Sequence, residues 1–217
     1  MSGRGLFISF EGIDGSGKST QARQLAEGLR DAGHKVVLTR EPGGSRGAEE
    51  IRALVLEGAT DRWSPETELL LFTAARRDHL ERVIAPALDA GKVVICDRFT
   101  DATMAYQGYA RGLPLETIEY LAKLACDGIE PGLTLWLDLP VEVGVKRALQ
   151  RNDSLNKSKE ARFDQESLQF HSRVYQGYAQ LHKLNPQRIQ RIDADTTPAQ
   201  VAERVLKVVR QHLGIVS

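Results

Sequence analysis

The sequence has few of the features that mark secreted, redox-active or membrane proteins. Its 217 residues include only two cysteines, Cys96 and Cys126, without CxxC spacing, and five scattered histidines, so we expect buried structural thiols and no metal or redox cluster. No apolar stretch approaches the roughly 20 residues that a membrane span needs. The segment MSGRGLFISFEG leads straight into a glycine-rich turn, which is typical of a first strand and not of a signal peptide. We expect a cytoplasmic protein without membrane association.

The chain also lacks an excess of charge of either sign. Lys plus Arg and Asp plus Glu number 29 each, so no global field attracts a polyanion such as DNA. Hydrophobic residues make up 41% of the sequence and charged residues 27%, a balance that is typical of a globular protein. The length predicts one domain over residues 1–217. An anionic ligand must therefore be held by a local site.

Short apolar runs alternate with helix-like stretches along the whole chain. The runs, which begin at residues 6, 35, 92, 133 and 188, are LFISF, KVVLT, KVVICD, LTLWLDL and RIQRID. Helical patterns cover residues near 18–32, 47–57, 66–90, 114–126, 141–150, 165–183 and 198–212. Nearly continuous apolar strands are typical of a sheet that is covered on both faces. We predict a three-layer α/β fold with a five-stranded parallel sheet flanked by helices, and functional loops at the carboxyl ends of its strands.

A phosphate-binding loop follows the first predicted strand. Residues 12–19 read GIDGSGKS, which matches the P-loop pattern G-x-x-x-x-G-K-S/T, and a helical pattern follows as the motif requires. In such a loop backbone N–H groups cradle phosphates, Lys18 reaches the β- and γ-phosphates, and Ser19 can ligate Mg²⁺. A plain turn has no use for a lysine followed by two hydroxyls. We predict that ATP is bound by Gly12, Ile13, Asp14, Gly15, Ser16, Gly17, Lys18, Ser19 and Thr20.

The P-loop alone does not identify the reaction, because GTPases, ATPases and kinases all use it. The guanine-reading motif N-K-x-D has only NKSK as a counterpart, and Lys159 at its end cannot accept the guanine N–H bonds. At the end of the third strand Asp97 can hold Mg²⁺ through water, and Arg98 can grip a phosphate. We predict Ser19 and Asp97 as the Mg²⁺ ligands. These residues favour a kinase with a second phosphate substrate.

The sequence resembles the bacterial thymidylate kinases, which belong to the nucleoside-monophosphate kinases. The family's order and spacing are met over nearly the whole chain by FEGIDGSGKST, TREPGGS, EEIRALVLEG, ELLLFTAARRDHL, VVICDRFTDATMAYQGYARG and LTLWLDLP. The resemblance implies a P-loop kinase fold that phosphorylates dTMP to dTDP with Mg-ATP, in dTTP synthesis for DNA replication. It also implies a homodimer, with ATP and dTMP as small-molecule partners.

The resemblance also assigns residues to the nucleoside of dTMP. Phe72 matches the ring that stacks on thymine, and Arg76, four residues later on the same helix face, matches the donor to its O4 edge. Thr103 and Gln107 match the polar positions that flank the base. Tyr106 is similar to the tyrosine that crowds the sugar 2′ position and so favours deoxyribose. Without the resemblance, the pattern favours Phe72 as a core residue over a binding residue.

Further matches concern the phosphate and the sugar. The resemblance implies that Arg98 and Arg52 grip the dTMP phosphate and that Asp14 lies near the 3′-hydroxyl. Glu41 and Pro42 belong to a loop that closes on the same nucleotide. These residue types suit their roles, because a forked guanidinium recognises a phosphate or a carbonyl edge.

Phosphoryl transfer requires positioning and positive charge but no nucleophilic side chain. The variable P-loop positions 13–16 carry no base, so the resemblance implies an arginine from a lid segment, predicted at residues 151–164. Arg151 matches the family's lid arginine, and Arg162 matches a second one. We predict Lys18, Arg98 and Arg151 as the catalytic residues.

The lid departs from the family pattern at Ala161 and is several residues longer than usual. Lys157 and Lys159 therefore stay alternatives to Arg151 and Arg162. Two other functions also stay open: a P-loop kinase for another pyrimidine monophosphate, and a nucleotide-dependent switch that hydrolyses ATP slowly. The switch has no need of an acceptor pocket.

Overall fold

The computed structural model describes residues 4–155 and 162–213. Its five strands are β1 (Phe7–Glu11), β2 (Val36–Arg40), β3 (Val93–Asp97), β4 (Leu133–Asp138) and β5 (Ile189–Asp193). They form one sheet in the order β2-β3-β1-β4-β5, and every neighbouring pair is parallel. The predicted five-stranded parallel sheet is confirmed, and each strand begins within one residue of the position that the apolar runs indicate.

Helices connect the strands and cover both faces of the sheet. They are α1 (Lys18–Asp31), α2 (Arg46–Leu56), α3 (Pro65–His79), α4 (Ala85–Asp89), α5 (Thr100–Thr103), α6 (Leu115–Cys126), α7 (Val141–Leu155), α8 (Leu168–Leu184) and α9 (Pro198–Leu213). Leu80–Ile84 is π-helical and joins α3 to α4, and a second π-helical segment, Met104–Ala110, continues α5. Within residues 4–155 and 162–213, none of the helices has both the length and the apolarity that crossing a bilayer requires.

The helical region from 100 to 110 is absent from the sequence prediction. Nearly all of its residues are buried, and only Thr100, Met104 and Tyr109 are partly exposed. A helix that is buried on all sides lacks the apolar stripe by which a surface helix is recognised. The helical patterns predicted elsewhere are confirmed, with boundaries that differ by a few residues.

Two apolar cores enclose the sheet. Along β1 the side chains alternate, so that Phe7 packs with Val94 and Cys96 on one face, and Ile8 and Phe10 pack on the other. Both cysteine thiols of the chain are free and buried, as predicted. Coverage on both faces explains why the strands are apolar throughout.

The register of the sheet places the functional loops side by side. β1 pairs with β3 so that Phe10 lies opposite Asp97, and the N–H of Arg98 donates to the carbonyl oxygen of Phe10 at 2.9 Å. The P-loop follows β1, and Arg98 follows β3, at the same carboxyl edge of the sheet. Ligands of open α/β sheets bind at such an edge.

Candidate active site

The P-loop backbone depends on its glycines. Gly12, Gly15 and Gly17 have φ angles of 136°, 77° and 93°, which side chains rarely allow. A Cβ on Gly15 would lie 2.1 Å from the carbonyl oxygen of Gly144 in α7, so the close packing of α7 also requires glycine here. The loop ends at the N-terminus of α1, where free N–H groups and the helix dipole favour an anion.

Lys18 is buried beneath the P-loop. Its ammonium donates to the carbonyl oxygen of Ile13 at 2.8 Å and contacts Ser16 Oγ at 3.4 Å. Burial, together with the nearby guanidinium of Arg98, lowers the pKa of Lys18 to about 8. The positive charge of Lys18 is therefore only partly neutralised by the protein, and it lies where the phosphates are predicted to bind.

Ser19 and Asp97 meet at the mouth of the P-loop. The hydroxyl of Ser19 donates to Asp97 Oδ2. Mg²⁺ in phosphate sites takes one or two protein oxygens and completes its shell with water and substrate phosphates. In the part of the chain that the structure describes, no three His, Cys, Asp or Glu side chains gather into a metal site. The Ser19–Asp97 pair thus fits Mg²⁺ that arrives with a nucleotide.

Arg98 is anchored from several directions. Its φ angle is 73°, which is uncommon for a residue other than glycine and is often found at functional sites. Nη1 donates to the Gly12 carbonyl at 3.0 Å and to Tyr178 Oη at 3.1 Å. Nη2 donates to Asp14 Oδ1 at 2.6 Å and to Tyr106 Oη at 3.0 Å. The guanidinium is therefore fixed against the P-loop.

Two carboxyl groups beside Arg98 have opposite pKa shifts. Burial would raise the pKa of Asp14, but Arg98 and Lys18 outweigh burial and hold it below its ordinary range. For Glu11, burial and the negative charge of Asp101 raise the pKa from 4.5 to about 8. Asp14 is thus ionised and Glu11 is largely protonated at neutral pH.

The raised pKa of Glu11 predicts a specific pH dependence of stability. Below pH 4.5 Glu11 is protonated in both the folded and the unfolded state, and above about pH 8 it is ionised in both. Between these values the folded state holds a proton that the unfolded state has lost. Stability should therefore fall as the pH rises, by up to about 1.4 kcal/mol per pH unit.

Urea unfolding at pH 5, 6, 7 and 8 measures this dependence. We expect Glu11→Gln to gain stability relative to the wild type as the pH rises, because glutamine is neutral throughout. Glu27→Gln, at an exposed position of α1, is the control and should follow the wild-type curve. Parallel curves for Glu11→Gln and the wild type would contradict the assignment.

A cavity of about 610 Å³ opens beside the P-loop, a volume that suits a small ligand. It reaches Lys18, Ser19 and Asp97 on one side. All ten residues that the resemblance assigns to dTMP also line it: Asp14, Glu41, Pro42, Arg52, Phe72, Arg76, Arg98, Thr103, Tyr106 and Gln107. The structure thus brings them together, while their roles in binding stay predictions.

Arg76 is fixed by partners from three segments. Its Nε donates to Glu41 Oε2 at 2.7 Å, and its Nη2 donates to the Phe99 carbonyl at 3.1 Å and to Thr103 Oγ1 at 2.9 Å. Burial would lower the pKa of Arg76, but the carboxylate of Glu41 outweighs burial and raises it. Glu41 in turn contacts the buried ring of His79, with 3.1 Å between Oε1 and Nδ1. A permanent cation therefore lines the cavity in one orientation.

The π-helical segment Met104–Ala110 carries two more of the predicted residues. Tyr106 Oη donates to Asp14 Oδ2 at 2.7 Å, and Gln107 Nε2 donates to Glu68 Oε1 at 2.8 Å. π-helical turns are rare and often occur at functional sites.

Sequence reasoning missed several residues that line the cavity. The most informative are Phe163 and Asp164, which immediately follow Arg162. The ring centroid of Phe163 lies 5.7 Å from that of Tyr106 and 6.0 Å from that of Phe72. The sequence around Phe163 is polar and does not predict a residue that lines a pocket. Only the fold shows that Phe163 lies there.

The predicted lid is only partly described. Arg151 belongs to α7, but its side chain is not among the parts that the structure describes, and Lys157, Lys159 and Ala161 lie outside the described residues. Arg162, the alternative to Arg151, is buried and pairs with Glu68 at 2.7 Å. In this structure Arg162 therefore does not face the cavity as a phosphoryl-binding residue would.

Comparisons with known proteins identify the family of the chain. The family model for thymidylate kinase matches residues 10–205. The thymidylate kinase of Ruegeria pomeroyi is 56% identical over 214 residues, which cover 99% of each chain. That of Caulobacter vibrioides is 51% identical over 212 residues, covering 98% of this chain and 99% of its own. A crystal structure of thymidylate kinase from Ehrlichia chaffeensis has a TM-score of 0.75 at 36% identity, over 95% of this chain and 99% of its own. The chain therefore belongs to the thymidylate kinase family.

Proposed function

We propose that the protein transfers the γ-phosphoryl group of ATP to dTMP and forms dTDP, in the synthesis of dTTP for DNA replication, and that it does so in the cytoplasm. The family supports dTMP as acceptor and ATP with Mg²⁺ as donor. The observation that carries the proposal is the single cavity that connects the P-loop lysine to all ten residues assigned to dTMP. Donor and acceptor phosphates can therefore meet in one cleft.

The chain's own residues position the two phosphates. Lys18 and the N–H groups at the start of α1 bind the β- and γ-phosphates, and Arg98 binds the acceptor phosphate. Because the terminal nitrogens of Arg98 already bond to protein groups, the acceptor phosphate takes two hydrogen bonds from it, one from Nε–H and one that replaces a neutral partner such as the Gly12 carbonyl. Ser19, and Asp97 through water, would hold Mg²⁺, which would supply positive charge to the donor phosphates.

Base selection follows from two fixed polar groups. Glu68 accepts from Gln107 Nε2, which leaves the amide oxygen of Gln107 to accept from the N3–H of thymine. Arg76 donates to O4, and Phe72 offers an apolar face to the ring. Cytosine has no hydrogen on N3, and it carries an amino group at C4 where thymine has the carbonyl. The pocket therefore favours thymine and uracil over cytosine.

Arg76→Ala should weaken dTMP much more than ATP. Loss of a charged hydrogen bond costs about 1.5–3 kcal/mol, or about 10–150-fold in KM for dTMP. We expect KM for ATP to change less than about twofold, because the hydrogen-bond partners of Arg76 are Glu41, Phe99 and Thr103, which lie outside the P-loop. Arg77→Ala is the matched control, since Arg77 is the next residue of α3 and pairs with Glu81 at the surface. Equal losses for both nucleotides would contradict the base assignment.

Incubation with Mg-ATP and a panel of nucleoside monophosphates tests the function itself. We expect dTDP to form fastest, dUDP more slowly, and ribose or cytosine nucleotides to react poorly. Preferential formation of another pyrimidine diphosphate would instead identify a different monophosphate kinase. Release of ADP without any new diphosphate would favour the nucleotide-dependent switch.

We keep Arg151 as the proposed arginine that stabilises the transferring phosphoryl. α7 packs on the P-loop where Gly144 approaches Gly15. Arg151 lies seven residues farther, about 10 Å along the helix axis. With no base at P-loop positions 13–16, a cation from α7 supplies the missing charge.

We also propose a homodimer that forms through α3 and α6. Leu70 on α3 and Tyr120 and Leu124 on α6 are between 56% and 68% exposed, and the two helices pack together. Exposed apolar groups on adjoining helices favour an interface.

Analytical ultracentrifugation should find twice the chain mass of 24.0 kDa for the wild type, and a monomer for the double variant Leu70→Glu/Leu124→Glu. The exposed Leu184 of α8 serves as control, and a dimeric Leu70→Glu/Leu124→Glu variant would exclude this interface.

A further inference from the structure

A buried carboxylate that phosphoryl transfer does not use joins two distant segments. Glu68 on α3 is fully buried. Its Oε1 accepts from Gln107 Nε2 at 2.8 Å, and its Oε2 accepts from Arg162 Nη1 at 2.7 Å. Arg111 lies 3.3 Å from each carboxylate oxygen. One carboxylate thus binds a proposed base-reading residue and an arginine at the end of the predicted lid.

Arg162 is bonded to protein on every side. Its Nε donates to the Ala59 carbonyl at 3.0 Å, its Nη2 to the Thr60 carbonyl at 2.8 Å, and its Nη1 also to the Val55 carbonyl at 3.3 Å. These carbonyls belong to the last turn of α2 and the connection that follows it, where helix carbonyls lack intrahelical partners. Because a buried guanidinium is tolerated only when it is paired and hydrogen-bonded, these contacts specify one location for Arg162.

The location of Arg162 determines where the next residue enters the cavity. Phe163 is only 8% exposed, and its ring meets the ring of Tyr106 edge-on. The guanidinium carbon of Arg162 lies 5.1 Å from the centroid of the Phe163 ring, and that of Arg111 lies 5.8 Å from it. Arg162 and Glu68 do not line the cavity themselves, whereas Phe163 and Gln107 do.

We propose that Arg162 and Glu68 are a positioning pair for acceptor recognition. The pair holds Phe163 as a wall of the thymine pocket and holds the amide of Gln107 in the orientation that reads N3–H. This proposal rests on the proposed function, because it concerns the same acceptor site. It assigns Arg162 a role in dTMP binding and none in contact with the transferring phosphoryl.

Steady-state kinetics of Arg162→Met test the proposal. We expect KM for dTMP to rise about tenfold or more, with KM for ATP and kcat within about twofold of the wild type. Arg162→Lys retains the positive charge opposite Glu68 but loses the guanidinium that donates to three carbonyls. Its affinity for dTMP should therefore lie between those of Arg162→Met and the wild type. Arg173→Met is the matched control, because Arg173 also donates to a carbonyl, that of Ala110, but does not contact Glu68.

A double-mutant cycle separates positioning from general stability. If Arg162 acts through Phe163, Phe163→Ala alone should raise KM for dTMP, and adding Arg162→Met should change it less than about threefold further. Three outcomes would each overturn the proposal. Arg162→Met could raise KM for ATP and for dTMP equally, or it could lower Tm without any change in KM. In the double variant, the increases in KM for dTMP caused by Arg162→Met and Phe163→Ala could multiply in full.

Glu68→Gln provides a second route if Arg162→Met does not fold. Glutamine keeps the shape of the side chain but removes the charge that holds Arg162. We expect the same selective rise in KM for dTMP, and a Glu68→Gln enzyme with wild-type dTMP kinetics would reject the pair. Wild-type turnover distinguishes the two proposals: a wild-type protein that does not phosphorylate dTMP refutes the function, whereas normal wild-type turnover with unaffected variants refutes only the positioning pair.

Discussion

Replacing Lys18 by methionine is expected to lower kcat by about 10²–10³-fold or more. In phosphoryl transfer, charge on the moving group is stabilised by prearranged cations, and loss of one such group typically costs this much. The buried ammonium of Lys18 is positioned for that task by the Ile13 carbonyl. Steady-state kinetics with saturating Mg-ATP and dTMP measure the effect.

Stability should respond in the opposite direction to activity. Burial lowers the pKa of Lys18 to about 8, which means that the fold disfavours its charge. The methionine variant should therefore have an unchanged or raised Tm. Lys207→Met, at an exposed position of α9, is the control and should retain full activity. A folded Lys18→Met protein with near-normal turnover would remove the P-loop assignment.

Arg98→Met should have an effect of similar size, a fall of about 10²–10⁴-fold in kcat/KM for dTMP. Two charge-assisted hydrogen bonds to the acceptor phosphate, at about 1.5–3 kcal/mol each, set this range. The variant also leaves Asp14 without its ion pair at 2.6 Å, so the P-loop carboxylate loses its orientation toward the sugar. ATP binding should weaken far less.

Arg40→Met provides the comparison for Arg98→Met. Arg40 lines the same cavity, but it is more than half exposed and pairs with Glu49 at 3.0 Å. Surface pairs of this kind contribute little, so kcat/KM should change less than about threefold. Should Arg98→Met weaken ATP and dTMP equally, Arg98 would be an anchor of the P-loop and not a ligand of the acceptor phosphate.

Local sequence patterns predicted the sheet and the P-loop because both depend on short-range rules. Buried parallel strands are continuous apolar runs, and the P-loop is a contiguous motif between a strand and a helix. The helical region around Tyr106 escaped prediction because it is buried on nearly all sides and has no polar face.

The predicted dTMP residues came from the family resemblance, and the fold brings all ten to one cavity. The residues that hold these side chains in place could not be predicted from the neighbouring sequence. Glu68 and Arg162 are 94 residues apart in sequence. Because Arg162 lies in a polar stretch, the sequence predicts that it is exposed to solvent unless its partner is known. Arg162 is buried because three carbonyls and a carboxylate compensate its charge.

A crystal structure of the wild-type protein with a bisubstrate analogue, in which adenosine and deoxythymidine are joined through phosphates, would test the assignment of the dTMP site directly. We predict that the thymine ring packs on Phe72 with O4 bonded to Arg76, and that the phosphates run from Lys18 to Arg98. Density for the thymidine outside the cavity of about 610 Å³, or adenine in place of thymine beside Phe72, would show that this cavity is not the dTMP site.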